Sequence, residues 1–304
     1  ERINSAQSVE KEWKDKKMRY GLPYIGSKNA IAEWVVNLLP EGDVLCDLFC
    51  GGCAITHCAL LQNKYKKIII NDINDQLPNF FVECINGLHT VEKHTEWVSR
   101  EKFLTEKENN ILIKLLWSYG NNGCDYLYGR NIEEYKRSLH ECIFEGDGEK
   151  LKPYGYDIKV DKNKKIYDRY IDVRKQIKIK TKERGLTSLM SLVSLESLQS
   201  LQSDYRDVKI PQGALIYCDI PYRDTNCGKY DGFNHSDFYA WAEQQDNVFI
   251  SEYWMPEDRF ECIDSIEKTV TLQSGAGNKA VEKLFIPRHQ KYDKWQGTLF
   301  EGIL

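Results

Sequence analysis

The stretch Asp43-Val44-Leu45-Cys46-Asp47-Leu48-Phe49-Cys50-Gly51-Gly52 decides the fold. Its apolar run is short and closes on paired glycines, which reads as a buried parallel strand entering a tight turn. Ala54 to Leu61 then has the pattern of a packed helix. Lys67-Ile68-Ile69-Ile70-Asn71-Asp72 reads as a second buried strand, and Asp75 to about Leu88 as a second helix. Strand, helix, strand, helix at this spacing is a βαβ unit. Upstream, Ile31, Val35 and Leu38 recur at helical spacing with Trp34 and Leu39 beside them. Ser27 is placed to cap the start of that helix, and Pro40 follows its end.

The α/β pattern returns after Pro211. Ala214 to Asp219 and Val248 to Ser251 read as buried strands and Ser236 to Gln245 as a helix. Val270 to Leu272 and Val281 to Ile286 read as closing strands. The middle differs. Residues 100–145 carry mostly helical spacing, broken at Tyr119-Gly120-Asn121-Asn122-Gly123. The segment 150–184 alternates Lys with Ile, Val and Tyr, as in Gln176-Ile177-Lys178-Ile179-Lys180, and suggests a ribbon. Ser188 to Ser203 repeats Ser-Leu every three residues, a period that suits neither helix nor strand and is too short for a solenoid. It is read as a connector. The expected architecture is an α/β sheet domain, residues 1–95 and 200–304, interrupted by an inserted helical or ribbon domain at 96–199.

The chain has 304 residues, 41% of them hydrophobic and 29% charged. That suits one large globular domain or two modest ones, and excludes a disordered or collagen-like chain. No stretch approaches the ~20 apolar residues of a membrane helix. The polar start Glu1-Arg2-Ile3-Asn4 lacks a signal-peptide core, so a cytoplasmic protein is expected. Ten irregularly scattered cysteines, several inside apolar runs, suit reduced thiols. Between Lys150 and Arg184, thirteen Lys and Arg face five acids, a local +8 in a chain of net −4. Such asymmetry suits either a polyanion partner or a solvated basic surface.

An acid at a strand tip followed by glycines opening a helix is how a doubly wound sheet approaches a nucleotide. Asp72, twenty residues beyond Gly52, stands at the next strand end, where an acid accepts from ribose hydroxyls. The G-x-G-x-x-G fingerprint is absent. The pattern therefore points to an adenosine-bearing cofactor without a pyrophosphate, or to a plain α/β turn. Cys46, Cys50 and Cys53 form a C-x3-C-x2-C spacing found around iron–sulfur clusters. Cys46 falls inside the apolar strand, and a cluster would leave the other motifs unexplained. Cys58 reads as a small core residue. Asp219-Ile220-Pro221-Tyr222 ends another buried strand. A carboxylate and the Ile220 carbonyl can accept the two N–H groups of an exocyclic amine. Pro221 fixes the backbone, and Tyr222 offers a ring for an extruded base.

Together these motifs resemble the D12 class of adenine-specific DNA methyltransferases, the Dam-like group, most closely its phage and prophage members. Tyr24-Ile25-Gly26-Ser27-Lys28 is similar to the family's N-terminal cofactor motif and Asp47 to Gly52 to its glycine motif. Asn71-Asp72-Ile73-Asn74 resembles its acidic loop, and Ser203-Asp204-Tyr205 the motif before the catalytic strand. Asp219 to Tyr222 resembles the catalytic motif, with Ile220 where proline is commoner. Phe249 to Tyr253 and Glu282 to Ile286 are similar to later strands. The Ser-Leu repeat and Trp117-Ser118-Tyr119-Gly120-Asn121-Asn122 also resemble phage-type members.

The resemblance implies a Rossmann-like class I methyltransferase sheet with helices on both faces and an inserted target-recognition domain. It implies S-adenosyl-L-methionine as methyl donor and no metal. Tyr24 and Lys28 would hold the methionine end, with Gly26 in their motif. Asp47, Phe49 and Gly51 would shape the pocket, and Asp72 with Ile73 would meet the ribose and its surroundings. Asp204 and Tyr205 would border the cofactor adenine. Asp219, Ile220, Pro221 and Tyr222 would carry catalysis on the N6 of a flipped-out adenine. Lys162, Lys164, Lys165, Arg169 and Arg174 of the basic insert would meet the phosphates of double-stranded DNA. A cognate restriction nuclease is a further partner the resemblance admits, and a monomer or weak dimer is the expected state. Two other readings stay open here: an RNA or nucleotide methyltransferase with the same pocket, and a non-catalytic DNA-binding relic.

Overall fold

The computed structural model describes residues 19–24, 26–74, 76–90, 93–177, 198–223, 232–270 and 278–292. They form two compact units. One holds the described residues within Glu1–Gly26 and Glu83–Ser194, the other those within Ser27–Val82 and Leu195–Leu304. In chain order the elements are α1 (Ala32–Leu38), β1 (Gly42–Asp47), α2 (Ala54–Leu61), β2 (Tyr65–Asn71) and α3 (Gln76–Ile85). Then come α4 (Arg100–Glu106), α5 (Ile111–Leu116), α6 (Glu133–Phe144) and α7 (Ile166–Ile177). The chain returns through β3 (Leu198–Leu201), β4 (Leu215–Asp219), α8 (His235–Ala242), β5 (Val248–Glu252), β6 (Phe260–Val270) and β7 (Asn278–Pro287).

The seven strands form one sheet in the order β3-β2-β1-β4-β5-β7-β6. β1 pairs in parallel with β2 on one side and β4 on the other, and β3 and β5 extend the parallel set. β7 and β6 close it in antiparallel fashion. Strands covered on both faces need apolar residues at every position rather than at alternate ones. Leu45 and Cys46, Ile68 to Ile70, Leu215 to Cys218 and Val248 to Ile250 supply them, all buried. The chain reverses its direction of growth between β1 and β4. Beyond the carboxyl ends of these strands lies the crevice in which an open α/β sheet takes its ligand.

Three expectations need correction. The basic segment is not a ribbon over its described part: residues 166–177 are the helix α7. Ile166, Tyr170, Val173 and Ile177 recur every three or four residues, and they close a core with Leu139, Cys142, Ile143 and Leu151. The Lys–Ile alternation at 178–180 lies outside the described residues. The end of the Ser-Leu repeat is no connector: Leu198–Leu201 is β3, paired with Ile68 to Asn71 of β2. Residues 188–197 lie outside the described set. The first closing strand starts at Phe260 and ends at Val270. Its acids, Glu261, Asp264 and Glu267, masked a strand that sits at the sheet edge and pairs on one side only.

Among the described residues, no helix is long and apolar enough to cross a membrane.

Candidate active site

Four of the parallel strands end in polar residues. β1 ends at Asp47, β2 at Asn71, β4 at Asp219 and β5 at Glu252. Register sets Asp47 opposite Tyr217 and Asp219 opposite Ser251, so these side chains share one end of the sheet. The loops above are tied down by the same residues. Asn71 Nδ2 donates to the carbonyls of Leu48 (3.1 Å) and Ser203 (3.0 Å), joining the turns after β1 and β3. Glu252 accepts from the backbone N–H of Tyr253 (2.7 Å) and of Arg223 (3.3 Å), joining the loops after β5 and β4. His235 Nε2 donates to the Pro221 carbonyl at 2.8 Å and holds the loop after Asp219.

The glycine turn and the acidic loop meet as the sequence suggests. Gly51 takes φ +46, a conformation suited to a residue without Cβ, and its N–H donates to Asp72 Oδ2 at 2.8 Å. Asp72 Oδ1 accepts from Asn74 N at 2.9 Å. Ile73 beside it is 67% exposed, an apolar side chain left in solvent at the loop tip. Thr56 on α2 donates to Asp47 Oδ2 at 2.7 Å. Asp47 Oδ1 is buried with no hydrogen-bond partner among the described residues.

Phe49 and Tyr205 pack together with ring centroids 5.3 Å apart, and Tyr205 also meets Trp241 (5.0 Å) and Phe238 (5.5 Å). Asp204 caps the short turn Tyr205–Asp207 and pairs with Arg206 at 2.8 Å. Ile220 is buried in the core beneath the loop.

Lys28 is the residue whose place the sequence did not show. It opens the short turn Lys28–Ala30, which Ser27 caps by accepting from Asn29 N at 3.3 Å. Its ammonium lies 2.7 Å from Asp219 Oδ1 and 3.5 Å from Glu282 Oε1. It also lies 4.4 Å from the centre of the Tyr222 ring. The Lys28 side chain is 7% exposed and that of Asp219 20%. Tyr222 OH donates to Glu282 Oε1, and its ring meets Tyr253 edge-on at 4.5 Å. Lys28, Asp219, Tyr222 and Glu282 thus form one cluster. Glu282 and Glu252 were missed as site residues. A single acid in a strand reads as an outward-facing residue, and only the register shows both buried.

Tyr24 and Gly26 belong to the other unit. Tyr24 is half-buried, and Gly26 takes φ +82 at an exposed turn. Of the basic residues, Lys162, Lys164 and Lys165 are exposed before and at the start of α7. Lys164 pairs with Asp172 at 2.6 Å. Arg169 and Arg174 are half-buried and engaged within their own unit. Arg169 Nη1 donates to the carbonyl of Phe144 at the end of α6 (3.0 Å), and Arg174 Nη1 to Tyr170 OH (3.2 Å).

Burial dominates the electrostatics. It raises the carboxyls of Asp47, Glu252 and Glu282 to about 7 each. Thr56 partly opposes this at Asp47, backbone N–H groups at Glu252, and Lys28 at Glu282. Asp72 is raised by burial against the pull of its two N–H donors. For Lys28 burial works downward, but Asp219 and then Glu282 outweigh it and hold the ammonium above its ordinary value. Burial also raises the thiols of Cys46, Cys50 and Cys53, keeping them neutral. Among the described residues no group of three or more His, Cys, Asp or Glu is placed to hold a metal ion.

These shifts predict a pH dependence of stability. A carboxyl raised in the folded state binds protons more tightly there than in the unfolded chain. Stability from it is therefore full below the unfolded value and is lost as pH rises through the folded one. For Asp47 that window runs from 3.8 to about 7. Urea melts of the ligand-free protein should show Asp47→Asn gaining stability relative to wild type as pH rises across this window. A pH-independent difference would contradict the shift.

A family model described as D12 class N6 adenine-specific DNA methyltransferase matches residues 24–254. The retron Ec67 DNA adenine methylase of Escherichia coli is 24% identical over 233 residues, spanning 73% of this chain and 70% of that protein. Among solved structures, the rRNA methyltransferase aviRa from Streptomyces viridochromogenes has 13% identity and a TM-score of 0.31, over 84% of this chain and 82% of that one.

Proposed function

Because this chain belongs to the D12 class of N6 adenine-specific DNA methyltransferases, we propose that Asp219 and the Ile220 carbonyl hold the two N6 hydrogens of an adenine extruded from duplex DNA. The protein is a DNA adenine methyltransferase, and S-adenosylmethionine is its methyl donor. The observation that carries the assignment is the position of Asp219. It ends β4 at the switch of the sheet, partly open, and is held at 2.7 Å by a buried lysine.

The residues present fit a cationic, amino-acid-bearing donor. The orphaned Asp47 Oδ1 is a buried acceptor suited to an ammonium group. Asp72 suits ribose hydroxyls, since each of its oxygens holds one N–H and has a lone pair left. Ile73, Phe49 and Tyr205 offer apolar surface for the donor's adenine, and Asp204 edges that surface. When bound, the donor supplies an electrophilic methyl group on a sulfonium.

The chain does the rest by positioning and charge. The N6 lone pair of adenine is conjugated into its ring, which makes N6 a weak nucleophile. Accepting both hydrogens favours a pyramidal nitrogen, and Asp219 stabilises the positive charge that develops on it. Lys28 sits between Asp219 and Glu282, so its ammonium is committed to them. It orients Asp219 rather than binding the donor's carboxylate. Pro221 and its bond from His235 fix the loop, and Tyr222 offers a ring for the extruded base, offsetting an unstacking cost of a few kcal/mol. Incubating the protein with labelled donor and either duplex DNA or RNA, then analysing nucleosides by mass spectrometry, tests the reading. N6-methyladenine from DNA is the expected product. Label recovered from RNA alone would overturn it.

The helical unit contacts the DNA backbone through Lys162, Lys164 and Lys165. Arg169 and Arg174, engaged inside the unit, hold α7 in place for them. Replacing the three lysines with Gln should weaken binding at every DNA sequence alike. The slope of log affinity against log salt should flatten by about 0.9 for each phosphate no longer neutralised. Donor binding should stay unchanged. Weakening confined to one DNA sequence would mean that these residues read bases.

A further inference from the structure

Two neighbouring dipeptides cross above the carboxyl ends of β4 and β5. Tyr222-Arg223 lies in the loop after β4, and Tyr253-Trp254 directly follows β5. The inner members meet, with the rings of Tyr222 and Tyr253 edge-on at 4.5 Å. The outer members meet as well, with Arg223 Cζ 5.5 Å from the centre of the Trp254 ring. Glu252, buried at the end of β5, ties the two segments together by accepting from the backbone N–H of both Arg223 and Tyr253. The inner pair is half-buried and the outer pair exposed. Trp254 stays 48% exposed although Met255 beside it is buried, so the chain turns this large ring outward while covering its neighbour. Arg223 also stands near the Tyr239 hydroxyl of α8. Arg259, whose guanidinium lies 5.8 Å from the Tyr239 ring, is already committed to a carboxylate, that of Glu243.

A guanidinium over an indole is attracted through its flat face, which leaves the N–H groups along its edge aimed outward. Those groups match the oxygens of a phosphate in paired hydrogen bonds. The exposed ring beneath offers apolar surface to a sugar. Arg223 directly follows Tyr222, a step of about 3.8 Å between Cα atoms. A base resting on the Tyr222 ring therefore brings its own phosphates within reach of the long Arg223 side chain. We propose that Arg223 and Trp254 form a backbone clamp for the extruded nucleotide. Arg223 pairs with a phosphate flanking the target adenine. Trp254 is a positioning residue that holds the guanidinium and covers the sugar beside it. Gripping the strand there opposes return of the base to its stack. The inference rests on the reading of Asp219 and Tyr222 as the pocket of the extruded adenine, and it names what holds the strand outside that pocket.

The test uses a duplex of the sequence that the protein methylates, with the phosphates around the target adenine replaced one at a time by uncharged methylphosphonates. Binding is measured with S-adenosylhomocysteine present. In wild type, neutralising one of the two phosphates beside the adenine should weaken binding by on the order of 10-fold. Arg223→Gln should bind the unmodified duplex more weakly by a similar factor, with a salt slope flatter by about 0.9. In that variant the same methylphosphonate should have no further effect. Trp254→Ala should weaken binding too, and Trp254→Phe, which keeps an aromatic face for the cation, should restore most of it. An equal methylphosphonate effect in wild type and Arg223→Gln overturns the proposal, as does an Arg223→Gln protein that binds the unmodified duplex as tightly as wild type. If a variant does not fold, the wild-type scan decides alone, and indifference to both flanking phosphates overturns the clamp. Each of these failures leaves the reading of Asp219 standing while the wild type still yields N6-methyladenine. A wild type that yields none overturns that reading, and the clamp with it.

Discussion

Asp219→Ala should lose methyl transfer by on the order of 10²-fold or more in kcat, with S-adenosylhomocysteine binding retained. The carboxylate is needed most when N6 becomes positive, so its removal raises the barrier more than it weakens ground-state binding. The fold should survive. Lys28 keeps Glu282 as a partner, and the sheet below Asp219 is closed by Tyr217, Cys218 and Ile250, all buried. Single-turnover rates beside an S-adenosylhomocysteine titration separate the two effects. Near-normal turnover by the folded variant would remove Asp219 from the chemistry.

Lys28→Met should damage both stability and activity. Removing one partner of a buried ion pair typically costs about 3–5 kcal/mol, because a charge is left without its counterpart. Here Asp219 and Glu282 would face each other without the cation between them. Both carboxyls would be pushed up, so they would bind protons in the folded state well beyond the unfolded range. The penalty should therefore be small at acid pH and grow as pH rises through neutrality. Urea melts at about pH 5.5 and 8 would show this as a widening gap from wild type. Transfer should fall too, since Asp219 would be protonated at neutral pH and its acceptor weakened. A constant gap, or full activity at neutral pH, would mean that Lys28 does not support Asp219.

Much of this was legible in the sequence, and the reasons differ from residue to residue. β1, the glycine turn and β2 showed themselves because a doubly covered parallel strand needs a continuous apolar run, and the turn after β1 needs Gly51 at positive φ. The motif marked Gly51 and Asp72 separately, but the hydrogen bond between them shows only in the structure. Lys28 stood out in the sequence as a lysine of the cofactor motif, but its ion pairs did not. Its partners, Asp219 and Glu282, lie far along the chain, and spacing says nothing about which side chains meet across a sheet. Glu252 and Glu282 looked like ordinary strand acids until the register of β5 and β7 buried them. In α7 the density of lysines drew the reading toward a ribbon, although Ile166, Tyr170, Val173 and Ile177 already carried the helical period. The last repeats of Ser-Leu became β3 because β2 offered an open edge, a tertiary fact that local period cannot express.

The most direct test of the central claim is the DNA of a host that lacks its own adenine methylation and expresses this protein. Long-read sequencing should find N6-methyladenine at one recurring sequence with the wild type and none with Asp219→Ala expressed at the same level. Methylation by Asp219→Ala equal to wild type, or methyl groups on a base other than adenine, would contradict the account.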